Sequence, residues 1–341
     1  MPNSGSEAER KRRPDRPLQR IAMALAALAL LLLACRTTLE TTLPDEIPNA
    51  TPPFFEISGG RGATLQLLGT IHLGPAEGWS FAPEIDRALA QATTLVMEID
   101  LSKATEEAVS DAILRYGMLP DESSLSQIIT AETAQLIAQH DAELTAIGLP
   151  GGLRERLKPW FIALRLVEST SGQTRYLPDR SVDQQVFSAL GSRELIALET
   201  LDEQLRFFGE LSPDLQELIL QDSLMRYATA PDSIEELVGA WRANDQDTLV
   251  RLAREGVETL PELDAFFDIL LDVRNRNWLP TLTRLLESPD RAGTTILVAV
   301  GSLHLVGPGS LPDLLRREGY RAVQPTRPLA RETAARERVD P

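Results

Sequence analysis

Leu67-Leu68-Gly69-Thr70-Ile71-His72-Leu73-Gly74-Pro75 closes an apolar run near the start of the chain. About 230 residues later Val298-Ala299-Val300-Gly301-Ser302-Leu303-His304-Leu305-Val306-Gly307-Pro308 closes another. Each reads as a buried strand, then Gly-x-x-His, then a Gly-Pro turn. The glycine predicts a sharp turn out of the strand. A residue just past the carboxyl end of a buried strand lies where α/β sheets place their ligands. The chain has three histidines, and two of them sit in this frame. One such histidine would read as a satisfied loop residue. The repetition makes His72 and His304 a candidate metal or catalytic pair, since imidazole is a common metal ligand. His140, between Gln139 and Asp141, lacks the frame and reads as a surface residue.

The flanking sequence places this pair in a sheet. Thr64 to Ile71 predicts a strand, Pro83 to Ala92 a helix and Thr94 to Ile99 a second strand, the order of a parallel βαβ unit. From about 104 to 290 the pattern is helical, with helices predicted over 105–116, 125–145, 158–169, 213–228, 233–242, 246–255 and 261–286. One apolar run, Glu194-Leu195-Ile196-Ala197-Leu198-Glu199, interrupts them as a third strand. Thr294 to Val300 is the fourth, Leu311 to Arg317 a helix, and Gly319 to Val323 a last strand. The fold class is α/β (α+β): a small mixed or parallel sheet built from the N- and C-terminal parts, with a large helical insertion. Closing that sheet brings His72 and His304 to one edge.

The ends carry different signals. Residues 1–34 read as a signal peptide: a basic stretch, Arg10-Lys11-Arg12-Arg13 and Arg20, precedes 13 apolar residues from Ile21 to Leu33. That length suits an export signal better than a membrane span. Leu32-Leu33-Ala34-Cys35 resembles a bacterial lipobox in which Cys35 is lipidated; a plain signal peptide and an uncleaved anchor are the alternatives. Cys35 is the only cysteine, so no internal disulfide can form. Residues 35–53, rich in Thr and Pro, read as a tether, 54–325 as the folded domain, and 326–341 as a disordered tail. The whole chain carries a net charge of −16, and the part after residue 34, with 28 bases and 47 acids, carries −19. Such an acidic surface excludes nucleic acid and adhesion to anionic headgroups, which leaves acyl chains to hold the protein at a membrane. The expected location is the cell envelope, as a lipoprotein. Arg36 stands where an aspartate would retain such a protein at the inner membrane, which favours the outer membrane of a diderm bacterium.

Glu98 and Glu199 each end an apolar strand, in Val96-Met97-Glu98 and Ala197-Leu198-Glu199. Both are expected at the histidine edge, where a buried carboxylate needs a metal, a water or an arginine as partner. Asp100 is a reserve candidate there. Arg274 shares a helix face with Leu270 and Trp278 at four-residue spacing, at the border of an apolar stripe where a guanidinium seeks a carboxylate. Arg276 and Asn277 project elsewhere and read as solvated. Asp183, Gln184 and Gln204 are weaker candidates, Asp183 as a helix cap or a carboxylate donor. Phosphate-binding glycine loops, HExxH, cysteine pairs and GxSxG are absent.

Five separated motifs resemble the TraB/GumN (Tiki-like) family, over roughly residues 54 to 325. They are the two Gly-x-x-His repeats with Gly319-Tyr320 after the second, Val96-Met97-Glu98, Ala197-Leu198-Glu199-Thr200-Leu201-Asp202-Glu203-Gln204-Leu205 and Val273-Arg274-Asn275. That family is similar in fold to the erythromycin-esterase and ChaN-like proteins. The resemblance implies a metal-dependent hydrolase, most simply a peptidase with a peptide or protein substrate. His72, Glu98, Glu199 and His304 would surround a divalent Zn, Mn, Co or Fe ion beside Arg274, one glutamate as ligand and the other as general base. Ser302, where relatives carry Ala or Gly, is a departure of small expected effect. The alternative is a non-catalytic envelope lipoprotein that sequesters a peptide signal or a haem-like ligand. Haem fits less well, because aromatics make up 5% of the chain.

Overall fold

The computed structural model describes residues 49–325. The expected signal peptide, Cys35 and the charged tail lie outside the described residues, as does the expected tether up to residue 48. Residues 49–53 already belong to the fold: Ala50 is fully buried and its carbonyl accepts the Ala82 amide at 2.9 Å.

Among the described residues six strands form one mixed sheet. In chain order they are β1 (Phe54–Ser58), β2 (Thr64–Thr70), β3 (Thr94–Met97), β4 (Glu194–Ala197), β5 (Thr295–Gly301) and β6 (Arg321–Val323). Their spatial order is β4-β3-β5-β2-β1-β6. β4, β3, β5 and β2 run parallel, and β1 is antiparallel to both β2 and β6. The sheet is therefore assembled from both ends of the chain around a helical insertion. β1 is the strand that its sequence does not announce, since five residues directly after a Pro-rich stretch show no clear alternation.

Both faces of the central strands are covered, which is why β2 and β5 read as near-continuous apolar runs. Successive side chains point to opposite faces. Leu68, Leu297 and Ala299 face one layer with Ile85 of α1 (Pro83–Gln91), Val182 and Val186 of α2 (Val182–Ser188), and Trp241. Leu65, Leu67, Ile296, Val298 and Val300 face the other, against Trp278, Leu282 and Leu285 of α3 (Arg274–Glu287) and Leu311 and Leu315 of α4 (Leu311–Arg317). Around Trp160, Phe161, Leu166, Leu220 and Leu224 the insertion has a core of its own.

Two long helices of the sequence reading are broken. The expected 125–145 helix is three, Leu125–Ile128, Ala131–Gln139 and Asp141–Ala146. Thr130 ends the first and caps the second by accepting the Thr133 amide, and the buried Glu217 holds it by accepting its N–H and O–H at 2.7 Å each. A threonine whose hydroxyl takes the amide three residues on leaves the helix, and Glu217 fixes it there from a distant element. His140 sits at the next junction and is half-buried with its ring edge toward Tyr227, so it is not the surface residue its surroundings suggested. The expected 261–286 helix divides into short turns, a π-helical stretch Asp268–Val273 and α3.

Candidate functional site

β2 and β5 are neighbours, with Thr70 opposite Gly301, so the two Gly-x-x-His motifs leave the same edge of the sheet side by side. Ser302 ties them together, its hydroxyl donating to the Thr70 carbonyl at 2.9 Å. Neither Gly69 nor Gly301 has the left-handed φ that a turn glycine would show, so the expected sharp turn is not what these positions need. Space is what they need. A Cβ on Gly69 would come within 2.7 Å of Ser302 Oγ, and one on Gly301 within 3.2 Å of Glu98 Oε1 and 3.6 Å of His304 Cδ2.

His304 is buried at 4% exposure. Its Nδ1 lies 2.7 Å from Asn275 Oδ1, and the Asn275 amide nitrogen donates to the Gly309 carbonyl at 3.0 Å. That second bond fixes which end of the amide faces the ring, so Nδ1 carries the proton and Nε2 presents its lone pair. His72 follows the same logic with a different anchor. Its Nδ1 is 2.9 Å from Asp183 Oδ2, and Thr70 donates to the other Asp183 oxygen at 2.9 Å. A metal-ligating histidine typically has its second nitrogen held this way. Asn275 had shown no separate role in the sequence and Asp183 only a weak one. What marks them is their placement beside the histidines, Asn275 next to Arg274 and Asp183 in the first turn of the helix whose Val182 amide donates to the Ile71 carbonyl.

Between the two carboxylates lies Arg274. Its Nη2 donates to Glu98 Oε2 at 2.6 Å and also to Glu199 Oε1, its Nε donates to Glu199 Oε2 at 3.2 Å, and its Nη1 faces His304 Nε2 at 3.3 Å. Trp278 lies beneath the guanidinium, 4.7 Å from ring centre to Cζ, and donates its Nε1–H to Glu199 Oε2 at 3.3 Å. Gln204 bridges Glu98 and Glu199 at 3.3 and 3.1 Å, and the Gly301 amide donates to Glu98 Oε1 at 2.7 Å. The structure thus brings His304, Glu98, Glu199 and Arg274 into one cluster, with Gln204 as a further member. Charge on His72 is felt by Glu98 and His304. Asp100 turns away to cap Ser102 and pair with Lys103, and Arg276 and Asn277 are exposed as expected. Among the described residues no three His, Cys, Asp or Glu side chains come together closely enough to hold a metal ion.

Electrostatics divide the members. Burial lowers the His304 pKa to about 4 against the pull of Glu98, with Arg274 adding to the drop. Burial works against the Glu98 carboxylate, yet His304, Arg274, His72 and the Gly301 amide outweigh it and bring its pKa to about 2. A neutral His304 gives no coulombic help at pH 7, so there Arg274, His72 and the Gly301 amide hold Glu98 ionised. Burial raises Glu199. Asp183 raises His72, whose side chain is 75% exposed, so water screens part of that attraction.

The unfolded chain regains ordinary pKa values, 6.5 for His304 and 4.5 for Glu98. As pH falls through that window it takes up protons that the native state refuses, so the contribution of these two groups is full above about 6.5 and lost toward about 4 and below. Glu199, raised, pulls the opposite way at acid pH, so the comparison is made with His304→Leu. In the presence of a chelator the urea midpoint of the parent should fall between pH 7 and 4.5, and the variant should fall less. Equal slopes would contradict the assignment of a neutral, buried His304.

A model of the TraB/PrgY/gumN family matches residues 53–324. The chain is 25% identical over 269 residues to the uncharacterized protein YbaP of Escherichia coli (strain K12), covering 78% of this chain and 93% of YbaP. It is 23% identical over 299 residues to the metalloprotease TIKI1 of Danio rerio, covering 74% of this chain and 59% of TIKI1. No solved structure matches. The family match spans both Gly-x-x-His motifs and every member of the cluster, and the chain belongs to the TraB/PrgY/gumN family.

Proposed function

We propose that this protein is a metal-dependent hydrolase that cleaves peptide bonds at the cell envelope. One observation carries the reading: each histidine of the repeat has Nδ1 held by an oxygen, which makes Nε2 the ligating nitrogen; that of His304 faces Arg274 Nη1, which an ion would displace. That donor chemistry fits a divalent cation, and the ionised Glu98 beside His304 Nε2, at 3.9 Å, completes a mixed nitrogen and oxygen set. His72, His304 and Glu98 would hold the ion. A divalent ion so bound supplies Lewis acidity and lowers the pKa of a bound water.

The remaining roles follow from the cluster. Glu199, the carboxylate whose proton affinity burial raises, suits the general base that takes a proton from water and passes it to the leaving amine. Arg274 is fixed by Glu199 and Trp278, and its Nη1, the nitrogen not tied to a carboxylate, is the group to meet a developing oxyanion. Hydrolysis then yields a carboxylate and an amine. The distant likeness to a metalloprotease supports the same reaction class.

Two substitutions separate the carboxylates. Glu98→Gln should lose bound metal and cleavage together. Glu199→Gln should keep metal while kcat falls by roughly 10²–10⁴-fold. Metal content and peptide-library cleavage, each with and without chelator, check both; the reverse pattern would exchange the roles. Asn275→Ala frees the His304 ring to flip its tautomer and should cost about 10–100-fold in metal affinity. Unchanged affinity would remove Asn275 from the site.

A second reading has its own support. Arg274 lies against His304 Nε2, and no three-ligand cluster is formed among the described residues. A protein that binds and sequesters a peptide without cleaving it would need no more. Peptide bound without turnover in the same assay, with or without metal, would favour it. For location, we propose lipidation at Cys35, which a Cys35→Ala variant moving from the membrane to the soluble fraction would support and an unmoved one would refute.

A further inference from the structure

We propose that the cavity on the Arg274 side of the site is the subsite for one large apolar side chain of the substrate, with Phe207 and Leu270 setting its size. The inference rests on the peptide-cleaving reading above. The cavity measures about 180 Å³, and its wall includes Leu198, Phe207, Leu270 and Trp278 beside Glu199 and Arg274. A cavity of about 150 Å³ lined by apolar side chains accepts benzene, so this one is sized for a phenylalanine, leucine or methionine side chain. It opens directly on the guanidinium that would meet the reacting carbonyl.

Phe207 and Leu270 are half-buried, yet they belong to none of the four apolar clusters that build the cores. Their neighbours in sequence, Phe208 and Ile269, do belong to one. Phe207 meets Phe208 edge-on, at 5.9 Å between ring centres, and the apolar surface that these two half-buried side chains leave uncovered lines the cavity. Leu270 sits in the π-helical stretch Asp268–Val273, and its carbonyl faces Arg274 Nη1 at 3.5 Å. Such π turns inside helices recur at functional sites. Here one turn presents an apolar side chain to the cavity and a carbonyl to the arginine.

The polar part of the wall selects against a basic side chain. Glu199 has both oxygens engaged by Arg274, Gln204 and Trp278. Glu203, also on the wall, accepts the Thr200 amide and hydroxyl at 2.8 and 2.9 Å. A lysine entering the cavity would be desolvated beside two guanidinium groups of the wall, those of Arg206 and Arg274. The lip favours a peptide: β4 is an edge strand with β3 on one side only, and it runs into Leu198 on the cavity wall. Extended main chain can lie along such an edge.

The test uses the full chain, a peptide library and two opposed variants. The parent should cleave where Phe, Leu or Met occupies one fixed position beside the scissile bond. Leu270→Trp, which fills the cavity, should lower kcat/KM for those peptides on the order of 10- to 100-fold relative to peptides with Ala there. Phe207→Ala, which widens it, should shift preference toward Trp and Tyr. Cleavage without apolar preference, or variants that slow all peptides equally, would overturn the subsite. If no peptide is cleaved, the hydrolase reading fails and titration with N-acetyl-phenylalaninamide followed by NMR decides the subsite. Saturable shifts confined to the residues around Phe207, and lost in Leu270→Trp, would uphold it, and their absence would overturn it.

Discussion

Arg274→Ala should destabilise the protein by about 3–5 kcal/mol, the cost of leaving buried charge uncompensated. The arginine side chain is 10% exposed, and the Glu98 and Glu199 side chains 10% and 12%. One guanidinium serves two carboxylates, so its loss strands both. Glu98 would keep the Gly301 amide and Gln204, while Glu199 would keep only Gln204 and Trp278. The cluster must then protonate or open to water, and either outcome moves the ends of β3 and β4. Arg274→Lys should recover little, because a point charge cannot span Glu98 and Glu199 as the planar fork does. Arg274→Met combined with Glu199→Leu should recover a large part, since it removes one stranded carboxylate along with the arginine. Urea denaturation at pH 7 measures all three. A loss under about 1 kcal/mol in Arg274→Ala would mean that the cluster is already hydrated.

The sheet and the site were legible to different depths. β2 and β5 can be read from sequence because both faces are covered, so their apolar runs are uninterrupted. Glu98 and Glu199 can be read because a charge that ends such a run has few places to go. The partner of each histidine is harder to see. Asp183 lies 111 residues from His72 and Asn275 lies 29 from His304, and contacts at that separation leave no periodicity. Arg274 could be read as a guanidinium in need of a carboxylate, but not as one shared between two. The glycines of the repeat show a subtler limit. Their spacing is visible, while their reason, a Cβ that would strike Ser302 or Glu98, exists only once two distant strands stand side by side.

Helix ends were misread where a side chain far away decided them. Thr130 leaves its helix because Glu217 offers it two bonds from another element. The π-helical turn before α3 has no signature in Asp268-Ile269-Leu270-Leu271-Asp272-Val273, which scans as ordinary amphipathic helix. That unread turn is also where the sequence hides a wall of the apolar cavity.

His72→Ala and His304→Ala should both abolish metal-dependent cleavage, a loss of at least about 10³-fold, yet only one should touch stability. His72 is 75% exposed at the side chain and its partner Asp183 keeps the Thr70 hydroxyl, so its removal should leave the urea midpoint within error. His304 is 5% exposed at the side chain, with its ring centre 4.4 Å from that of Trp278. Truncating it opens a void beneath the indole and leaves Asn275 Oδ1 buried without its donor. Large-to-small changes and unpaired polar groups in such places cost about 2–4 kcal/mol together. The pair therefore separates chemistry from folding within one repeated motif. Equal activity loss with unequal midpoints is the expected result. If His72→Ala retains full cleavage, the second Gly-x-x-His alone forms the working site and the repeat reflects only the two parallel strands. If His304→Ala leaves the midpoint unchanged, the Asn275–His304–Arg274 contacts carry no net stability, and the neutral imidazole is kept at that position for its chemistry alone.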